Sequence, residues 1–101
     1  MNTRHVPNLS EQEVITIAQQ ALREQQWSYD PEFGLQPSWR GTSKDVLGQE
    51  GKEVVLWSVN FLTPAGPFEQ ESRFVEINDE TRVAIGIMTG HNYFFLERKH
   101  G

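Results

Sequence analysis

Apolar positions follow a helical period near the start of the chain and a strand period afterwards. Val14, Ile17, Ala18, Ala21 and Leu22 recur at the i, i+3, i+4, i+7, i+8 positions of an amphipathic helix. Ile15 widens that stripe, and Gln12, Gln19, Gln20, Arg23 and Glu24 fill the opposite side. The start is marked twice. Ser10 and Glu13 have the spacing of a capping box, in which each side chain accepts from the other's amide, and Leu9 and Val14 have the spacing of a hydrophobic staple. Together they predict a helix from Ser10 to about Gln26, whose apolar stripe needs a sheet to cover.

The period then becomes two. Glu53–Leu62 is the longest run rich in β-branched and aromatic residues, with Val55, Trp57, Val59 and Phe61 on one face and Ser58 and Asn60 on the other. Val54 and Leu56 make its first half apolar on both faces, as in a strand interior to a sheet. Upstream, Pro31 and Pro37 limit ladder hydrogen bonding, so Phe33, Leu35 and Trp39 are expected to line a short, irregular strand. Gly41–Lys52, with three glycines, reads as a long mobile hairpin connection. Downstream, Thr63–Pro67 is a turn signal. A strand from about Phe68 to Ile77 then places Val75 and Ile77 on one face and Phe74 and Glu76 on the other.

Asn78–Thr81 is a turn. In the next strand, Arg82–Thr89, Val83, Ile85 and Ile87 are expected to share one face, and Ala84, Gly86 and Met88 the other. Gly90–Asn92 turns the chain again, and Tyr93–Leu96 is a short last strand. Short connections between successive strands imply an antiparallel meander. The predicted fold is α+β: one N-terminal amphipathic helix packed on one face of an antiparallel meander sheet of about four strands. Residues 1–8 are expected to form a flexible arm, residues 9–97 a single domain, and residues 98–101 a polar tail.

At 101 residues the chain suffices for one core. Its 37% hydrophobic and 23% charged fractions are those of an ordinary globular protein rather than a disordered one. No apolar run approaches the roughly 20 residues needed to cross a bilayer, and Met1–Pro7 lacks the apolar centre of a secretory signal. The absence of cysteine excludes disulfides and thiolate-bound metals and fits a reducing compartment. The expected location is cytoplasmic. The net charge of −5 is uneven: between Val54 and Thr81, Arg73 stands alone against Glu69, Glu71, Glu76, Asp79 and Glu80. Such a surface disfavours nucleic acid and anionic membranes and favours a basic partner.

No catalytic constellation is evident, and no cofactor is implied. His5, His91 and His100 lack metal-ligand spacing, and Ser58 and Ser72 lack a nucleophile-elbow context. Asp30, Glu76 and His91 are the candidates for a general acid or base, should a pocket open between helix and sheet. The aromatics point elsewhere. Trp27, Trp57 and Phe61 are expected beneath the helix. On the helix-free face, Phe74 and Trp39 would anchor a protein-binding surface rimmed by Asn60, Glu69, Glu71 and Glu76. Alternatively, the Gly41–Lys52 loop covers that face, or a second subunit does so in a homodimer.

Four features in this order carry a resemblance: Leu9-Ser10-Glu11-Gln12-Glu13 opening the helix, Trp27 after it, Glu53–Phe61, and Phe74–Thr81. The chain resembles the PepSY domain and the bacterial immunity proteins of PepSY-like or NTF2-like α+β type, which neutralise toxins in the cytoplasm. At Thr81-Arg82 it departs from the PepSY pattern, which has Thr-Gly. The immunity-type resemblance implies a non-enzymatic inhibitor that blocks a basic protein, a toxin or a peptidase, with an acidic sheet face. A small ligand binder or enzyme of NTF2-like or cystatin-like shape, and a PepSY-like peptidase regulator, are the alternatives.

Overall fold

The computed structural model describes residues 6–46, 50–67 and 69–96. Helix α1 spans Glu11–Glu24. Its N-terminus is closed by the predicted capping box: Ser10 Oγ accepts from the Glu13 amide at 3.1 Å, and Glu13 Oε1 accepts from the Ser10 amide at 2.8 Å. Leu9 and Val14 are both buried in the core beside it. At the other end Gln26 takes a left-handed φ of 61°. The amide of Trp27 then donates to the Leu22 carbonyl at 2.9 Å, and that of Gln26 to the Arg23 carbonyl at 3.0 Å. This 6→1 and 5→2 pair satisfies the last carbonyls of the helix and returns Trp27 towards the core.

The strands are β1 (Gln36–Ser43), β2 (Val54–Leu62), β3 (Ser72–Asn78), β4 (Val83–Met88) and β5 (Tyr93–Phe95). They form one antiparallel sheet in the order β1-β2-β3-β4-β5. The sheet therefore has five strands rather than about four. Gly41, Thr42 and Ser43, expected in a loop, extend β1, and Pro37 is accommodated because β1 is an edge strand.

Two irregularities in register redistribute side chains between the faces. In β1, Trp39 pairs with Trp57 and Gly41 with Leu56, so Arg40 is an extra residue, and Gly41 supplies the bend with a φ of 76°. In β4, Gly86 pairs with Glu76 and Ala84 with Ile77, so Ile85 is extra. The simple alternation expected for β4 is broken there. Ala84 and Ile87 both join the core beneath α1, while Ile85 packs with Val46, Val54 and Leu56.

The core between helix and sheet holds Val14, Ala18 and Leu22 from α1 against Trp57, Val59, Phe61, Val75, Ile77 and Ile87. Phe61, Val59, Val75, Ile77 and Ile87 are fully buried, and each large side chain contributes about 1.5–3 kcal/mol by leaving water. Asp79 lies equally deep, at 0% exposure. Its Oδ2 accepts from the Asn8 amide at 2.8 Å, and its Oδ1 accepts from the Leu9 amide at 3.0 Å and from the Trp57 indole at 2.9 Å. Asn8 is thus tied down, although it was expected in a loose arm. Residues 1–5 of that arm and the 98–101 tail lie outside the described residues.

Candidate functional site

The face of the sheet away from α1 is only partly covered. The chain leaving β1 brings Val46 over Val54 and Leu56, with the Gly51 amide donating to the Lys44 carbonyl at 3.1 Å. The remainder is exposed towards β4 and β5. Pairing defines two rows across it. One runs Ser38, Ser58, Glu76, Gly86, Phe95, and the next runs Gln36, Asn60, Phe74, Met88, Tyr93. Met88 and Phe95 are 39% and 56% exposed there. Phe94, 44% exposed, points from the same edge strand to the helix side, where its ring meets Trp27 edge-on at 5.2 Å.

Tyr93 organises this surface. Its hydroxyl donates to Glu76 Oε1 at 2.8 Å, reaching past β4 to β3. The ring passes over Gly86, where a Cβ would collide with the Tyr93 hydroxyl and ring. The absence of a side chain at Gly86 is what allows the aromatic to lie across the sheet. Burial first, then the hydrogen bond to Glu76 and its negative charge, raise the Tyr93 phenol well above its ordinary value. Tyr93, like any phenol at neutral pH, is a donor here. Its ring also packs at 5.0 Å from that of Phe95. Between Tyr93 and the Val46 segment lies a groove of about 300 Å³, lined by Arg40, Asp45, Val46, Leu56, Glu76 and Met88 among others.

The residues expected to form one surface are distributed over three places. Asn60, Phe74 and Glu76 do share the helix-free face. Both amide hydrogens of Asn60 are engaged within the sheet, by Ser72 Oγ at 2.7 Å and the Arg73 carbonyl at 2.9 Å, leaving its carbonyl oxygen for any partner. Trp39 lies on the opposite face. It pairs with Trp57 beneath the helix, the rings meeting at 5.3 Å, so it is a core aromatic and not a companion of Phe74. Glu71 also falls on the helix side, bound to Arg73 at 2.9 Å, and Arg73 in turn lies over the Trp27 ring at 5.2 Å. Glu69 is exposed in the β2–β3 connection. The Asp79 charge, counted as surface from the sequence, is buried.

Sequence reasoning missed Tyr93 and Phe95 as components of the site. The signal was present: Tyr93-Phe94-Phe95 is aromatic on both faces of a short final strand, and Gly86 interrupts the apolar run of its neighbour. The candidate acids and bases do not converge. Asp30 is held in a turn, where its carboxyl is lowered by the Gln70 side chain and the Glu32 amide, and His91 is exposed in another turn. Glu76 is on the helix-free face. The layer between helix and sheet is filled by side chains, and the cavity of about 90 Å³ beside Ile17, Ala21, Arg82 and Leu96 lies at its margin. Among the described residues no group of three or more His, Asp or Glu is placed to hold a metal ion. No described helix is long and apolar enough to cross a membrane. Comparison with protein-family models, curated proteins and solved structures finds no match.

Proposed function

We propose that this chain is a non-enzymatic binding domain that holds a protein partner against the helix-free face of its sheet, as an inhibitor of immunity type. One observation carries this reading. Of the four exposed large hydrophobics among the described residues, Val6, Met88, Phe94 and Phe95, two lie together on the helix-free face at the β4–β5 end, Met88 and Phe95, while Phe94 of the same edge strand faces the helix side. Phe74, half-buried, pairs directly with Met88. Apolar area concentrated in one place and bordered by Glu76, Asn60 and Ser72 is the composition of an interface centre with a polar rim. A ligand binder of NTF2-like or cystatin-like type would need its pocket between helix and sheet, and that layer is filled.

The test is affinity capture from the native source with wild type and with a Met88→Ser/Phe95→Ser double variant, both exposed positions whose replacement spares the core. A partner retained by wild type and lost by the variant supports the reading. A partner bound equally by both, or none at low salt, overturns it. A toxin-domain gene beside this one would favour the immunity-type version.

A second reading, a PepSY-like regulator of a peptidase, draws support from one detail. Arg82 occupies the position where the PepSY pattern has glycine, and its φ is 63°, a left-handed backbone that glycine favours. Inhibition assays against the proteases of the source organism would test it.

A further inference from the structure

We infer that the groove between Val46 and Tyr93 receives an arginine side chain of the partner, with Glu76 as its counter-ion and the Tyr93 ring as its stacking surface. This deepens the binding reading above and rests on it for the protein that carries the arginine.

Glu76 supplies negative charge to the groove. Its Oε1 is taken by the Tyr93 hydroxyl at 2.8 Å. Arg73 is paired with Glu71 and Arg82 with Glu13, and no described cation, Arg40 of the same groove included, forms an ion pair with Glu76. A half-buried carboxylate beside apolar groups, with one oxygen already held by a neutral donor, is strengthened as a partner for a cation by the lowered local dielectric. A phenol is neutral at pH 7 and its burial only reinforces this, so that donor does not compete as an anion. Tyr93 thereby fixes the carboxylate without cancelling its charge.

Shape selects the cation. Glu76, Gly86 and Phe95 lie in one row on adjacent strands, so Glu76 and Phe95 are separated by two strand spacings, about 10 Å between backbones. The Tyr93 ring lies over Gly86 in that interval, with the Phe95 ring packed 5.0 Å from it. A planar guanidinium can lie on an aromatic face while donating to a carboxylate at its edge, and its methylene stem suits a groove walled by Val46, Leu56 and Met88. A lysine ammonium offers no such plane. The other charged groups of the groove are Arg40 and Asp45, so two carboxylates face one guanidinium. The net field favours a cation, and Arg40 acts against it.

The probe is acetyl-arginine amide, followed by two-dimensional NMR of the full chain, with acetyl-lysine amide and the neutral isostere acetyl-citrulline amide as comparators. The expected result is millimolar binding that moves the amides of Glu76, Gly86, Met88, Tyr93 and Phe95. The citrulline compound should bind about tenfold more weakly, and lysine should fall between. Glu76→Gln, which keeps an oxygen for the Tyr93 hydroxyl, should weaken arginine binding about tenfold in a folded protein. Arg40→Gln should strengthen it about twofold. Equal binding of arginine and citrulline, unchanged binding by Glu76→Gln, or shifts centred on another carboxylate would overturn the inference. Arginine binding at this groove, together with a capture experiment that retains no partner, would sink the proposed function and leave the groove chemistry standing. A partner lost on Met88→Ser/Phe95→Ser but indifferent to Glu76→Gln would do the reverse.

Discussion

Trp57 donates its indole N–H to a carboxylate, Asp79, that is completely buried at the end of β3. The same carboxylate receives the amides of Asn8 and Leu9, which lead into the capped start of α1. One side chain therefore joins the central aromatic of β2, the β3–β4 turn and the segment entering the helix. A buried charge is costly unless its hydrogen-bonding capacity is filled, and three donors fill it here. Asp79→Ala should cost about 2–4 kcal/mol by leaving those donors without an acceptor. Trp57→Phe, which removes one donor and retains most of the ring, should cost about 1.5–3 kcal/mol. Urea denaturation of the two variants checks both, and Asp79→Ala should also expose the Asn8 and Leu9 amides to faster hydrogen exchange.

The same contacts make stability depend on acid. Burial by itself would raise the Asp79 carboxyl, but the Asn8 amide, the Trp57 indole, the Leu9 amide and the nearby Arg82 outweigh it. The net shift is downward from the ordinary 3.8. Glu13 is also lowered, chiefly by the Ser10 amide. A carboxyl lowered in the folded state contributes its stability above its unfolded value and loses it as pH falls through the folded value. Wild type should therefore be most stable near neutrality and weaken below about pH 4. Asp79→Asn should be less stable than wild type at pH 7, with the gap narrowing on acidification. Denaturation midpoints at neutral and acid pH decide it: a gap that stays constant would remove Asp79 as the source.

On the other face, Gly86 and Tyr93 form a coupled pair. Gly86→Ala should displace the Tyr93 ring, break its bond to Glu76 and destabilise by about 1–3 kcal/mol. In a Tyr93→Ala background the obstruction is gone, and the same change should be neutral or stabilising by up to about 1 kcal/mol, because alanine loses less backbone entropy than glycine in a strand. A double-mutant cycle measures the difference. Additive effects would show that the ring and the glycine are independent.

The legibility of these features from sequence follows how local their causes are. The capping box of Ser10 and Glu13, the staple and the helical stripe depend on residues within a few positions, and all were readable. So was the core face of β2, because strict alternation fixes a face wherever pairing is regular. The extra residues Arg40 and Ile85 break that regularity, and their effect depends on the partner strand, which the local pattern does not contain. Hence Ile85 falls on the face opposite to the one its alternation suggests, while the face of Trp39 is fixed by its pairing with Trp57, which is equally absent from the local pattern. Asp79 looked like one more turn acid because its three donors lie 22 to 71 positions away. For the same reason Glu76, Gly86 and Tyr93 gave no joint signal, as only the meander brings them together.

The two faces should respond differently to removal of an aromatic. Trp39 and Phe95 are both aromatics on an edge strand, and composition alone would assign either one to a binding surface. Trp39 is half-buried and rests edge-on against Trp57 in the core beneath α1, so Trp39→Ala removes packing that the folded state uses. The expected loss is about 1–3 kcal/mol, below the full cost of deleting a buried tryptophan because part of its surface is already wet. Phe95 is 56% exposed and leans on Tyr93 with one side of its ring, so Phe95→Ala should change stability by less than about 1 kcal/mol. In capture experiments the order should reverse: Phe95→Ala weakens partner binding, whereas Trp39→Ala, at a temperature where it is fully folded, leaves it intact. Loss of binding by Trp39→Ala with unaltered stability would place the interface on the wrong side of the sheet.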